Sequence, residues 1–219
     1  MKYASIDIET SGLDSTKHQI LSIGAIIEDT KLKLPFDQLP KFNTIVLQRD
    51  ITGSPFALNL NKDIIELMGR YLEGDKESAI LDSDYVFLEK DEVVISFFRF
   101  LFRNGIGYPL FDRYPINYET IESVKYPTIN TARPITINVA GKNFGTFDKL
   151  FLEKLPRWKQ LIRMKQRIID PSPYYCDWDN DEALPSLQQC KDRAGVTGTV
   201  SHTALDDAWD VIQVLRKQY

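Results

Sequence analysis

"ASIDIETSGLD", residues 4–14, holds a contradiction that any fold for this chain has to resolve. Tyr3, Ala4, Ile6 and Ile8 read as a buried or half-buried strand, yet Asp7 and Glu9 stand within it. Residues two apart in a strand project from the same face, so these two carboxyl groups aim at one point. Two adjacent buried carboxylates repel, and leaving them unpaired costs several kcal/mol or keeps one protonated. A bound cation removes the conflict. A solvated face on an edge strand removes it too, and the stretch alone leaves both readings open.

Working outward, the chain has 219 residues, 43% hydrophobic and 26% charged, which is ordinary globular composition. That length can bury a sizeable core without staples, and a single domain over 1–219 is expected. Two cysteines, Cys176 and Cys190, are too few for a disulfide framework and suggest a reducing compartment. Lys2, Asp7 and Glu9 leave no secretory segment at the start, and no apolar run approaches the ~20 residues of a membrane span. A cytoplasmic protein without membrane contact is expected. A net charge of −4 argues against non-specific coating of duplex DNA. It is compatible with an enzyme that handles one strand end through metal ions.

Residues 2–9 and "QILSIGAIIED" (19–29) read as two strands joined by a turn, and "FNTIVLQ" (42–48) as a third, forming an antiparallel meander. "NKDIIELMGRYL" (61–72) and "KDEVVISFFRFLFRNG" (90–105) carry helical periodicity, the second closing at Gly105. "PITINVAG" (134–141) is nearly all apolar and is predicted to be a central strand. "TFDKLFLEKL" (146–155) follows as a helix, and another runs from about Ala204 to Lys217. Strands first, then strand and helix mixed, predict an α/β or α+β domain with a mixed sheet. Between 105 and 133, prolines and tyrosines without periodicity mark an insertion or long functional loop.

The remaining acids fall at helix starts. Asp148 opens a helix whose inward stripe continues through Phe151, Leu152 and Leu155. The helix dipole explains an acid in a first turn but not its place on the apolar face. "SHTALDDAWDVIQVL" (201–215) holds His202, one of only two histidines, followed by three acids; His18 reads as structural, in its polar turn. On that helix Ala204, Ala208, Val211, Ile212 and Leu215 form the apolar stripe. At 3.6 residues per turn Asp207 flanks the stripe, whereas Asp206 lines up with Asp210, Gln213 and Lys217 on the polar side. Four carboxylates and a histidine placed in this way suit two-metal phosphoryl chemistry, in which paired divalent ions stabilise the attacking and leaving oxygens. Magnesium or manganese prefers such hard oxygen ligands, and a neutral histidine can accept a proton from the attacking water.

Asp-x-Glu-x-x-Gly-Leu from Asp7, a mid-chain Asp148 after an apolar strand, and His-x-x-x-x-Asp from His202 to Asp207 occur in that order. Together they resemble the DEDDh branch of the 3′–5′ exonuclease superfamily over nearly the whole chain. The resemblance implies an RNase H-like fold, a mixed α/β sheet flanked by helices. It also implies two Mg²⁺ or Mn²⁺ ions held by Asp7, Glu9, Asp148 and Asp207, with His202 as general base. The implied reaction releases nucleoside 5′-monophosphates from 3′ ends of single-stranded DNA, RNA or short oligonucleotides. The second motif, "KNFGTFD" (142–148), has Lys142 where proofreading members carry histidine, and one more residue between Asn143 and Phe147. In this it is more similar to the oligoribonuclease group, although the 105–133 insertion is not part of that group's pattern.

Thr10, Gly12 and Leu13 follow directly on the first acids and are placed to meet a terminal nucleotide; Asn143 is assigned with them to substrate binding. "KLPRWKQLIRMKQR" (154–167) has six basic residues and no acid, and reads as a solvated helix with phosphate tracking as the alternative. Tyr108, Phe111, Tyr114, Tyr118 and Tyr126 read as a small core of the insertion, with base stacking as the alternative. Two rival functions remain. "DIET" resembles the nucleophile loop of aspartyl-phosphate phosphatases, which would make Asp7 a nucleophile. A non-catalytic module binding nucleic-acid ends is the other.

Overall fold

The computed structural model describes residues 1–107, 117–130 and 132–219. β1 (Lys2–Thr10) is antiparallel to β2 (Ile20–Asp29), which is antiparallel to β3 (Lys41–Val46), so the expected meander forms. Three helices follow, α1 (Pro55–Leu60), α2 (Lys62–Glu73) and α3 (Lys76–Leu81). β4 (Val86–Leu88) then returns parallel to β3 and leads into α4 (Lys90–Arg103). The insertion contains a hairpin, β5 (Tyr118–Ile121) and β6 (Val124–Pro127), tied to α4 by an Arg99–Glu119 ion pair of 2.8 Å. Tyr126 is buried there against Phe102, and so belongs to packing. Tyr108, Phe111 and Tyr114 lie outside the described residues.

The apolar run 134–141 is two short strands rather than one, β7 (Ile135–Ile137) and β8 (Val139–Ala140). The division falls at Asn138, whose side chain donates to the Lys2 carbonyl at 2.9 Å and whose own carbonyl accepts from Ala4. β8 pairs parallel with β1 and ends the five-stranded order β4-β3-β2-β1-β8, so it is not central. α5 (Asp148–Leu152) and α6 (Trp158–Leu161) lead to β9 (Ile162–Met164), which pairs with β7. The basic stretch 154–167 is therefore a helical turn and an edge strand, not one solvated helix. Ile162 and Leu161 are buried in its middle, which a helix exposed to water would not allow. α7 (Leu187–Ala194) and α8 (Ala204–Leu215) complete the chain's elements.

Helices cover both faces of the sheet. Ala4, Ile6 and Ile8 point into a core with Val94, Phe97, Phe98 and Leu101 of α4 and with Phe151 and Trp158. The opposite face of β1 begins with Tyr3, which packs with Ala208, Val211, Ile212 and Leu215 of α8. This mixed sheet flanked by helices is an RNase H-like α/β fold. α8 is fastened at its far end by Arg216, which donates to both Glu28 oxygens at 3.3 and 2.6 Å, and the Tyr3 and Tyr219 hydroxyls meet at 3.0 Å across 216 positions. Among the described residues no helix is long and apolar enough to cross a membrane.

Candidate active site

Asp7 and Glu9 lie on the α8 face of β1, opposite Gly24 and Ser22 of β2. The register slips between Glu9 and Thr10, a bulge that ends the regular pairing at the site. Asp207, in the first turn of α8, is brought against them. The close approach depends on Gly24, because a Cβ there would overlap the backbone of Ala204 and Leu205. With hydrogen at that position, α8 rests directly on the strand. Ligand oxygens of Asp7, Glu9 and Asp207 consequently lie within 4.8 Å of one another.

Asp148 reaches the group from the flank. β8 stops opposite Ser5, so the Ile8 N–H beyond it lacks a strand partner and donates instead to Asp148 Oδ1 at 3.2 Å. Asp148 is buried beside Asp7, although it is not one of the three converging acids.

All four carboxyl groups are pushed toward the neutral form. Burial holds Asp7 well above the usual carboxylate range, and the charges of Asp148, Asp207 and Glu9 add to it. Burial, then repulsion from Asp207, raises Glu9 to about 8, against a hydrogen bond from the Asn61 amide. Asp148 is raised to about 7 by burial, with backbone hydrogen bonds opposing. Asp207 is raised to about 6 by burial, with the nearby His202 opposing. Asp207 Oδ1 is buried without a hydrogen-bond partner. Three converging hard oxygen donors, one of them orphaned, fit a divalent cation of the magnesium or manganese kind. Asp7, Glu9 and Asp207 would hold it, with Asp148 alongside.

His202 is exposed and takes the left-handed conformation at φ 57°, uncommon for a side-chain-bearing residue, immediately before the α8 start. Asp206 is exposed and engaged locally, accepting from Thr203 Oγ1 at 2.7 Å and Ser201 Oγ at 3.1 Å. Asp210 departs from the expected polar face: it is buried and paired with buried Lys191 at 2.6 Å. α7 packs on that side of α8 and supplies the lysine, a partner that helix periodicity alone does not reveal.

Of the residues assigned to substrate binding, Thr10 is buried and donates to the Gly12 carbonyl at 2.9 Å, bending the chain just past Glu9. Gly12 sits against the His18 ring, which a Cβ would approach to 2.6 Å, and His18 Nδ1 accepts the Asp14 N–H. Leu13 is 84% exposed at the tip. Asn143 is exposed with φ 56°; its amide oxygen accepts from Lys142 at 2.6 Å and its N–H donates to Asp170. Three contributors were not singled out in the sequence. Gly24 had a signal, since an isolated glycine in a strand marks close backbone approach. Asn61, buried between α1 and α2 and donating to the Thr10 carbonyl at 3.3 Å, had none. Neither did Tyr85, half-buried and within the field of Glu9 and Asp206.

No protein-family model and no curated protein matches the chain. Among solved structures, its fold is similar to that of a moderately thermophilic exonuclease I from Methylocaldum szegediense, with a TM-score of 0.55 at 14% sequence identity. The match covers 99% of this chain and 40% of that one, so the chain spans well under half the length of that protein. At this identity the likeness establishes an exonuclease-like fold.

Proposed function

We propose that the protein is a metal-dependent 3′–5′ exonuclease that releases nucleoside 5′-monophosphates from single-stranded DNA, RNA or short oligonucleotides. The observation that carries this reading is the convergence of Asp7, Glu9 and Asp207 within 4.8 Å, with Asp148 beside them. Four acids whose burial favours protonation, with repulsion from one another adding at Asp7 and Glu9, are a costly arrangement unless cations offset it. The motif order and the exonuclease-like fold support the same reading.

Asp7, Glu9, Asp148 and Asp207 would hold two Mg²⁺ or Mn²⁺ ions. Bound there, such ions supply charge stabilisation to the attacking and leaving oxygens of an in-line displacement. His202, exposed at the mouth, accepts the proton of the attacking water. The turn Thr10–Leu13 meets the terminal nucleotide, with Leu13 free to pack against its base. Asn61 orients Glu9 through its amide.

The test is incubation with 3′- and 5′-labelled single strands of DNA and RNA in Mg²⁺, Mn²⁺ or chelator. Stepwise loss from the 3′ end, abolished by chelator and blocked by a 3′-phosphate, is the expected result. Cleavage of a circular strand, or full activity in chelator, overturns the reading. A trapped phosphoryl group on Asp7 would assign the aspartyl-phosphate chemistry instead.

A further inference from the structure

A groove along the turn after β1, lined by Ser15–Ile20 and by none of the four carboxylates, plays no part in the chemistry above. Its floor is apolar, made by Ile20, Phe151 and Leu155. Its rim carries Lys17, Lys90 and Lys154, and no acid lines it. Phe151, which lines the groove, lies three residues beyond Asp148 in α5, about 4.5 Å along at a helical rise. The groove therefore begins close to the site.

Two of the cations are engaged within the chain, and Lys90 has no ion-pair partner among the described residues. Lys154 donates to Ser15 O and Oγ at 2.5 and 2.8 Å, which ties the turn to the segment that begins with Asp148. Among the described residues Lys17 reaches only Asp14, at 3.2 Å in an exposed pair of the kind worth little. Lys90 is the first residue of α4, where the helix dipole disfavours a cation. Two of the neighbouring acids are occupied, Glu92 capping the Glu89 N–H and Glu89 pairing with Arg49 at 3.0 Å. His18 accepts at Nδ1, so its neutral ring presents an N–H donor at Nε2. An apolar floor under a cationic rim suits one sugar and base with its phosphate.

We propose that this groove is a second nucleic-acid subsite, which holds a backbone phosphate of the single strand a few linkages upstream of its 3′ end. It rests on the exonuclease reading for the position of that end. The strand crosses the turn at Leu13 and is gripped on both sides of it. Chains long enough to reach the groove are then bound more tightly than the shortest substrates.

The experiment measures binding without cleavage, by anisotropy of a labelled 12-nucleotide strand in chelator, in an Asp7→Asn background that lessens repulsion in the site. Lys17→Gln combined with Lys90→Gln should weaken binding about tenfold. It should also flatten the slope of log affinity against log salt by about 0.7, the share of one phosphate contact in a single strand. Lys17→Arg with Lys90→Arg should keep both. A single neutral methylphosphonate is then walked along the first four linkages from the 3′ end. At one position it should weaken the parent several-fold and the glutamine variant hardly at all. Equal losses at every position, an unchanged salt slope, or a parent that binds no single strand overturns the subsite. Failure of the parent chain to release nucleotides with Mg²⁺ or Mn²⁺ would count against the exonuclease reading alone, because the binding cycle still judges the groove.

Discussion

Asp7→Asn should stabilise the metal-free protein strongly at pH 8 and only slightly at pH 5. Asp7 is held well above the usual carboxylate range, first by burial and then by Asp148, Asp207 and Glu9. In the unfolded chain the same group ionises near pH 4. Its contribution to stability is therefore fully present below about pH 4 and is lost as pH rises toward the folded value. Wherever the folded group keeps its proton and the unfolded one has lost it, stability falls by about 1.4 kcal/mol per pH unit. Three units, from pH 5 to 8, give about 4 kcal/mol at most, and asparagine, which does not titrate, removes that slope. For a chain of this size that ceiling corresponds to a gain of no more than roughly 8–15 °C in Tm at pH 8 over the gain at pH 5. The assay is thermal unfolding in excess chelator across that range, followed by Mg²⁺ or Mn²⁺ at pH 8, which should raise the parent more than the variant. The reasoning fails if the variant's advantage is the same at both pH values, or if it is less stable than the parent at pH 8 without metal.

Asp207→Asn should abolish nucleotide release and weaken Mn²⁺ binding by calorimetry, whereas Asp206→Asn should keep most activity and cost at most ~1 kcal/mol; the reverse pattern would mean that α8 is wrongly phased. His202→Ala should lower kcat by ~10²–10⁴ while metal affinity holds, and lost metal affinity would make it a ligand. Gly24→Ala should cost ~1–3 kcal/mol in denaturant unfolding and weaken Mn²⁺ binding, because the new methyl group pushes α8 and Asp207 off the strand. Lys191→Met should cost ~3–5 kcal/mol by stranding buried Asp210, and a compensating Asp210→Leu should restore most of it; no recovery would mean that packing rather than charge is at stake.

Much of the fold could be read from local pattern. β1, β2 and β3 alternate or run apolar within a residue or two of the expected limits, and α2, α4 and α8 carry clear periodicity. Reading failed where the chain's partners decide its conformation. Arg163 looks like helix surface in isolation, yet pairing of Ile162–Met164 with β7 makes that piece an edge strand, and Lys165 and Arg167 follow it outside any helix. Asp210 looks solvated until α7 brings Lys191 to it. The site's acids were legible because carboxylates on apolar faces are costly wherever the chain puts them. Asn61 was not, since its role comes from long-range placement beneath Thr10 and Glu9.

Asp7 and Asp207 meet at the candidate site although 200 positions separate them in the sequence (207 − 7). At roughly 5–20 residues per second, β1 leaves the ribosome tens of seconds before α8 at the slow limit. Throughout that interval Asp7 and Glu9 exist without Asp207, so nascent chains carry no complete acid cluster. The three-acid cluster is complete only when α8 docks over Gly24.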